Sequence, residues 1–229
     1  MRGHRRGALH GERQNVSYEN ILFDLDGTLT DPKEGITNSV KYALGKFGIE
    51  EQDMSLLVKF IGPPLAESFE SFYGLSPEDA RKAIGFYREY YSAKGIFENE
   101  AYEGIADTLA LLGERGRRLF VATSKPTVFA ERVLEHFDLR RHFSAVAGSE
   151  LDGSRTDKAE VIGWLLSAQA LDAGRTVMVG DRRHDIAGAR KNGIASIAVG
   201  YGYGDEEELK ASGASFICPT VKGLLELLL

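Results

Sequence analysis

Asp24 and Asp26 stand two residues apart where an apolar run ends, in the stretch ENILFDLDGTLTD at 19–31. Side chains two apart on a strand share a face, so the two carboxylates would meet. Like charges at that distance repel and raise one pKa, unless a cation lies between them or one of them works as an acid. Further polar residues close other apolar runs: Thr123, Ser124 and Lys125 follow RLFVA, while Asp181 follows TVMVG and Asp185 lies a helical turn beyond it. Lys158 opens a helical pattern after the polar loop DGSRTD. Carboxylates, a threonine and lysines gathered from separate runs can move protons, hold a cation or neutralise an anionic substrate.

Such residues work together only if the fold brings the ends of those runs to one place. Apolar runs at 21–25, 118–123, 145–148, 176–181 and 195–200 read as strands, and 215–219 reads as a short edge strand. Helical patterns at 104–115, 126–136, 157–169, 185–192 and 220–228 lie between or after them. Continuous apolar strands alternating with helices predict an α/β fold, a parallel sheet covered on both faces. In open sheets of this kind ligands bind at the carboxyl ends of the strands, which is where the polar residues collect. The interval from about 35 to 100 differs, because its apolar residues recur three and four apart and its breaks fall at Pro63-Pro64, Gly74 and Ser76-Pro77. It reads as an all-helical insert after the first strand.

The set DLDGT, VATSK, isolated Lys158 and VGDRRHD, in this order, resembles the four motifs of the haloacid dehalogenase superfamily over residues 18–229. The insert is similar to the helical cap of phosphoglycolate phosphatases and related 5′-nucleotidases, and SRTDKAEVI resembles the nucleotidase-like branch. The resemblance implies a Rossmann-like catalytic core at 18–35 and 101–229, a helical cap at 36–100 and a leader at 1–17. It also implies Mg²⁺-dependent hydrolysis of a small phosphate monoester through an aspartyl-phosphate. By resemblance Asp24 is the nucleophile and a metal ligand, Asp26 offers its backbone carbonyl to the metal, Asp181 completes the protein ligands, and Asp185 acts near the metal directly or through water. An all-oxygen group of this kind suits Mg²⁺, a hard cation that bridges to phosphate and would remove the repulsion between the carboxylates. Thr123 would hydrogen-bond the phosphoryl group and Lys158 would pair with Asp24, leaving Asp26 to protonate the leaving oxygen and later to activate water.

Ser124 and Lys125 are expected to reach the substrate phosphate or to line its loop. Arg155 and His184 read as polar surface residues, and Phe86, Tyr87, Tyr90 and Tyr91 as a packing face of a cap helix. The glycines of VGYGYGD lack the residues of a phosphate cradle and read as a mobile loop beside the site. A phosphomutase acting on a sugar phosphate would use the same Asp24 and Asp26, and a non-enzymatic phospho-receiver would also cluster carboxylates around Mg²⁺. A receiver needs no cap to close over a substrate. A dehalogenase has no use for Asp26 or for the metal.

Composition narrows the partners. With 28 Lys and Arg against 34 Asp and Glu, the net charge of −6 offers no basic footprint for nucleic acid or membrane and points to a small soluble partner, which the resemblance implies is a small phosphorylated metabolite or a nucleoside monophosphate. The lone Cys218 permits no intrachain disulfide and fits a cytoplasmic protein. The segment MRGHRRGALHGERQNVS is basic and Gly-rich without the apolar core of a secretory signal, so it reads as a disordered leader.

Overall fold

The computed structural model describes residues 18–229, and the leader expected at 1–17 lies outside them. The central sheet begins with β1 (Asn20–Phe23), which is buried along its whole length. The strands that join it are β4 (Arg118–Pro126), β5 (Ala145–Ser149), β6 (Thr176–Gly180), β7 (Ala195–Val199) and β8 (Phe216–Cys218). They form a six-stranded parallel sheet in the order β5-β4-β1-β6-β7-β8. Strand β1 therefore lies between β4 and β6, and the order reverses beside it. That reversal opens a crevice at the carboxyl ends of these three strands, the position of Asp24, Thr123 and Asp181.

Alternation along β1 assigns its side chains to two cores. Ile21 and Phe23 join Leu109 and Leu112 of α5 (Ile105–Glu114), Val133 and Leu134 of α6 (Thr127–His136) and Leu224 of α10 (Val221–Leu228). Leu22 turns the other way, to Val161, Ile162 and Leu165 of α7 (Lys158–Ala168) and Ala189 of α8 (Arg183–Lys191). Both faces are covered, as the continuous apolar runs require. A short α9 (Glu206–Ser212), capped by the Asp205 carboxylate, was absent from the sequence reading because its EEELKAS carries a single buried residue, Leu209.

The insert holds α1 (Lys33–Gly45), α2 (Met54–Val58), α3 (Leu65–Tyr73) and α4 (Pro77–Tyr90), and α4 runs into a π-helical turn at Tyr91–Gly95. Local chemistry sets these limits. Gly74 ends α3 in the left-handed conformation at φ 63°, and Ser76 caps α4 by accepting from the Asp79 N–H, with Pro77 in the first turn. Phe60 packs edge-on against Phe69 at 5.0 Å, within the buried cluster that also holds Ile21 and Phe23. A two-residue pair missing from the sequence reading closes the insert: β2 (Thr30–Asp31) runs antiparallel to β3 (Glu100–Ala101). Strands so short leave no periodicity to detect. Among the described residues no helix is long and apolar enough to cross a membrane.

Candidate active site

Asp24 follows directly on β1 and its N–H donates to Val179 O at 2.8 Å, which fixes it against β6. Its Oδ1 accepts from the Leu25 N–H at 2.7 Å and faces the Lys158 ammonium at 2.9 Å. Lys158 is the first residue of α7, and its Nζ also lies 2.7 Å from Asp185 Oδ1 and donates to Ala122 O at 3.1 Å. One buried ammonium thus joins β1, β4, α7 and α8. Burial disfavours its charge, but Asp185 and Asp24 outweigh that and raise its pKa.

Asp181 is fully buried past the end of β6, where Tyr203 N–H donates to its Oδ2 at 2.7 Å and the Thr28 hydroxyl to its Oδ1 at 3.3 Å. Asp24, Asp181 and Asp185 each offer an oxygen within 4.8 Å of the others. Burial pushes Asp181 well above the usual carboxylate range, and the charges of Asp185 and Asp24 add to the effect. Asp185 is pushed up to about 6 by burial, with Lys158 opposing and Asp24 reinforcing the shift. Three buried carboxylates with one lysine, which pairs with Asp24 and Asp185 but not with Asp181, need further positive charge, and an all-oxygen donor set fits a hard divalent cation.

Backbone shape holds this cluster together. Gly27 has φ +81°, and a Cβ there would stand 2.2 Å from Asp181 Oδ2. Gly202 is equally tight: its Cβ would stand 2.4 Å from Asp181 Cβ. The VGYGYGD stretch is therefore a packed wall of the site. Its Tyr201 hydroxyl donates to Thr28 O at 3.0 Å and its Tyr203 hydroxyl to the Asp31 carboxylate. Alternating glycines in the sequence were the available signal, because glycine is what permits such close approach.

The haloacid dehalogenase-like hydrolase family model matches residues 21–199, a span that contains every one of these side chains except those of the Gly202 wall. The chain belongs to that family. This hydrolase is 50% identical to a 5′-nucleotidase of Pseudomonas aeruginosa over 93% of this chain and 96% of that one. It is also 42% identical to the tyrosine-protein kinase PtkA of Mycobacterium tuberculosis, over 87% of this chain and 67% of that protein. A predicted phosphatase from Clostridium acetobutylicum superposes with a TM-score of 0.90 at 49% identity, over 92% of this chain and 97% of that one.

In this hydrolase Asp26 turns away from the carboxylate cluster. Its Oδ2 and Oδ1 lie 2.7 and 2.9 Å from Lys125 Nζ, which also donates to the Tyr91 hydroxyl at 2.6 Å. Burial raises the Asp26 pKa, and the Lys125 charge only partly offsets it. Thr123 is buried, and its Oγ1 accepts from the Lys125 N–H at 3.2 Å. Ser124 takes a hydrogen bond from Ser149 Oγ at its carbonyl, at 2.9 Å. Asp24, Asp26, Thr123, Ser124 and Lys125 all line one cleft of about 510 Å³, roofed by the cap residues Phe60, Pro63, Pro64, Leu65, Arg81 and Tyr87.

Of the two residues read as surface polars, Arg155 has structural work and His184 is half-buried. Arg155 Nε donates to Gly148 O at 2.8 Å and its guanidinium lies 4.6 Å from the Trp164 ring centre, so it pins the loop before α7. His184 is half-buried beside a smaller cavity of about 290 Å³ that also reaches Lys158, and burial lowers its pKa. Among the cap aromatics, Phe86 packs on Phe47 and Tyr87 stacks on Tyr91, as a packing face would, but Tyr91 also touches the site. Arg182 was not singled out from sequence: it donates to Ile61 O of the cap at 2.6 Å and to Glu208 at 3.1 Å. Nothing local marks a contact between residues so far apart in the chain.

Proposed function

We propose that this protein hydrolyses a small phosphate monoester with the aid of Mg²⁺ through a phosphoryl group carried on Asp24, and that its substrate is a nucleoside 5′-monophosphate or a comparably sized ester. The observation that carries the reading is the buried Lys158 shared by Asp24 and Asp185, with Asp181 alongside, at the floor of a roofed cleft. The 5′-nucleotidase relative supports the substrate class, and so does a cleft of about 510 Å³, which is ligand-sized. Residues 36–100 are taken as the cap, with 18–35 and 101–229 as the catalytic core; the β2–β3 pair supports the return point near 100, while on the outgoing side α1 already begins at Lys33.

Asp24, Asp181 and Asp185, with the Asp26 backbone carbonyl, would hold the ion. When bound it would neutralise phosphoryl charge and offset the repulsion among these carboxylates. Lys158 orients the Asp24 carboxylate towards phosphorus and adds a positive charge where negative charge develops. The Thr123 hydroxyl, on the cleft wall, donates to a phosphoryl oxygen and Ser124 borders the same oxygens, while the Lys125 ammonium is held by Asp26 and Tyr91. The Asp24 oxygen–phosphorus bond forms as the ester P–O bond breaks, and Asp26 gives its proton to the departing oxygen. Water then attacks phosphorus, Asp26 takes the proton, and Asp24 is released as a carboxylate. The roof excludes bulk water while this proceeds.

The kinase relative motivates a second reading, in which ATP supplies the phosphoryl group and a tyrosine receives it. One assay separates the two. Nucleoside monophosphates, 2-phosphoglycolate, sugar phosphates and phosphotyrosine are offered with and without Mg²⁺, and ATP is offered with a tyrosine peptide. Phosphate release from a monoester that stops on chelation is expected. Peptide labelling without phosphate release from any monoester would overturn the hydrolase assignment, and a sugar phosphate isomerised without phosphate release would indicate a mutase.

A further inference from the structure

Lys125 makes three contacts, and an ammonium has three donors. Two go to the Asp26 oxygens, at 2.7 and 2.9 Å, and the third goes to the Tyr91 hydroxyl at 2.6 Å. Asp26 and Lys125 belong to the core, whereas Tyr91 belongs to the cap, at the start of the π-helical turn that follows α4. Turns of this kind widen a helix locally and recur at functional sites. The Tyr91 ring is held independently of its hydroxyl: it stacks on Tyr87 at 5.3 Å and 14° and meets Phe129 of α6 edge-on at 5.5 Å. It is 1% exposed.

We infer that Tyr91 is a positioning residue that couples the seated cap to proton transfer, by fixing the Lys125 ammonium against the Asp26 carboxyl. With the cap down, the phenolic oxygen supplies the third acceptor, so the ammonium has one geometry and Asp26 is aimed into the cleft. With the cap lifted, the acceptor leaves with it. Lys125 then exchanges towards water and Asp26 loses its orientation. Proton transfer would thus be efficient only when the roof is closed over a substrate. A phenol suits this task because burial holds it neutral, with its pKa raised well above the ordinary value.

The inference rests on the proposed role of Asp26 in acid–base chemistry, and the experiment tests the two separately. Release of the alcohol in the first turnover is timed with Mg²⁺ for an alkyl ester, such as a nucleoside 5′-monophosphate, and for an aryl ester with a good leaving group. The variants are Asp26→Asn, Tyr91→Phe, Lys125→Met and the last two combined. Asp26→Asn should slow the alkyl ester far more than the aryl ester, because only the alkoxide needs a proton. Tyr91→Phe keeps the ring packing and should slow the alkyl ester by about tenfold, with the aryl ester little changed. Lys125→Met should show the same bias, and adding Tyr91→Phe to it should cost nothing more. The ratio of the two esters within one preparation is independent of how much protein is folded. If Asp26→Asn shows no leaving-group bias, the acid–base reading falls, and the inference with it. If that bias is present but Tyr91→Phe slows both esters alike, or its effect multiplies with that of Lys125→Met, the inference alone is overturned.

Discussion

Stripping divalent cations at neutral pH should reveal what it costs to crowd Asp24, Asp181 and Asp185 within 4.8 Å. Burial pushes the folded Asp185 up to about 6 from an ordinary 3.8. An acid whose pKa is raised on folding favours the fold below its unfolded pKa and loses that contribution as pH rises through the folded value. For Asp185 the window runs from 3.8 to about 6. At 1.36 kcal/mol per pKa unit the loss is on the order of 3 kcal/mol. Asp181 and Asp26 are shifted in the same direction and add to it. Lys158 is raised and stays charged across the window, so it contributes no slope there. A divalent cation bound to the cluster would offset the loss only where the carboxylates are ionised. Thermal melts in Mg²⁺ and in chelator, taken from about pH 4.5 to about pH 8, should therefore separate as pH rises. For a chain of this size 3 kcal/mol corresponds to roughly 6–12 °C. Subtracting the two curves removes every titration the metal does not touch. A gap that stays flat or narrows with rising pH would refute the reasoning.

Two further outcomes are expected. Asp24→Asn should form no phosphoenzyme with any ester, whereas Asp26→Asn should give a burst of aryl alcohol and a trapped phosphoenzyme, because hydrolysis of the intermediate loses a proton transfer worth about 10²–10⁴ in rate; rapid-quench phosphate counting checks both, and a phosphoenzyme on the Asp24 variant would remove the nucleophile assignment. Gly27→Ala sets a Cβ 2.2 Å from Asp181 Oδ2 at φ +81° and should cost about 1–3 kcal/mol of stability while raising the Mg²⁺ needed for half-maximal activity, read by melting and by metal titration; unchanged values in both would mean that the Gly27 turn does not shape the Asp181 site.

The parallel sheet was legible because its inner strands are buried on both faces and so write unbroken apolar runs, as Ile21, Leu22 and Phe23 do. Lys158 was legible because a lone lysine heads an apolar helix, and that is where α7 begins. Contacts across the cleft were hidden. Lys125 reads from the sequence as a residue reaching for phosphate, and only the folded chain brings Asp26, distant by 99 positions, and Tyr91, distant by 34, to its ammonium. Arg182 and Ile61 are separated by 121 positions and left no trace. The β2–β3 pair escaped because two residues cannot display an alternation, and α9 because an exposed acidic helix has almost no apolar face.

That two-residue pair has an evolutionary consequence. Thr30 lies opposite Ala101 and Asp31 opposite Glu100, so the chain leaves the core and returns to it at adjacent points. Closing a loop costs little more when the loop is lengthened, about 0.6 kcal/mol for each doubling. The chain between these points can therefore be exchanged for one of different length and shape without altering the register of β1 against β4 and β6. A new roof over this floor must therefore match one short hinge and also replace the contacts by which Tyr91 and Ile61 meet Lys125 and Arg182.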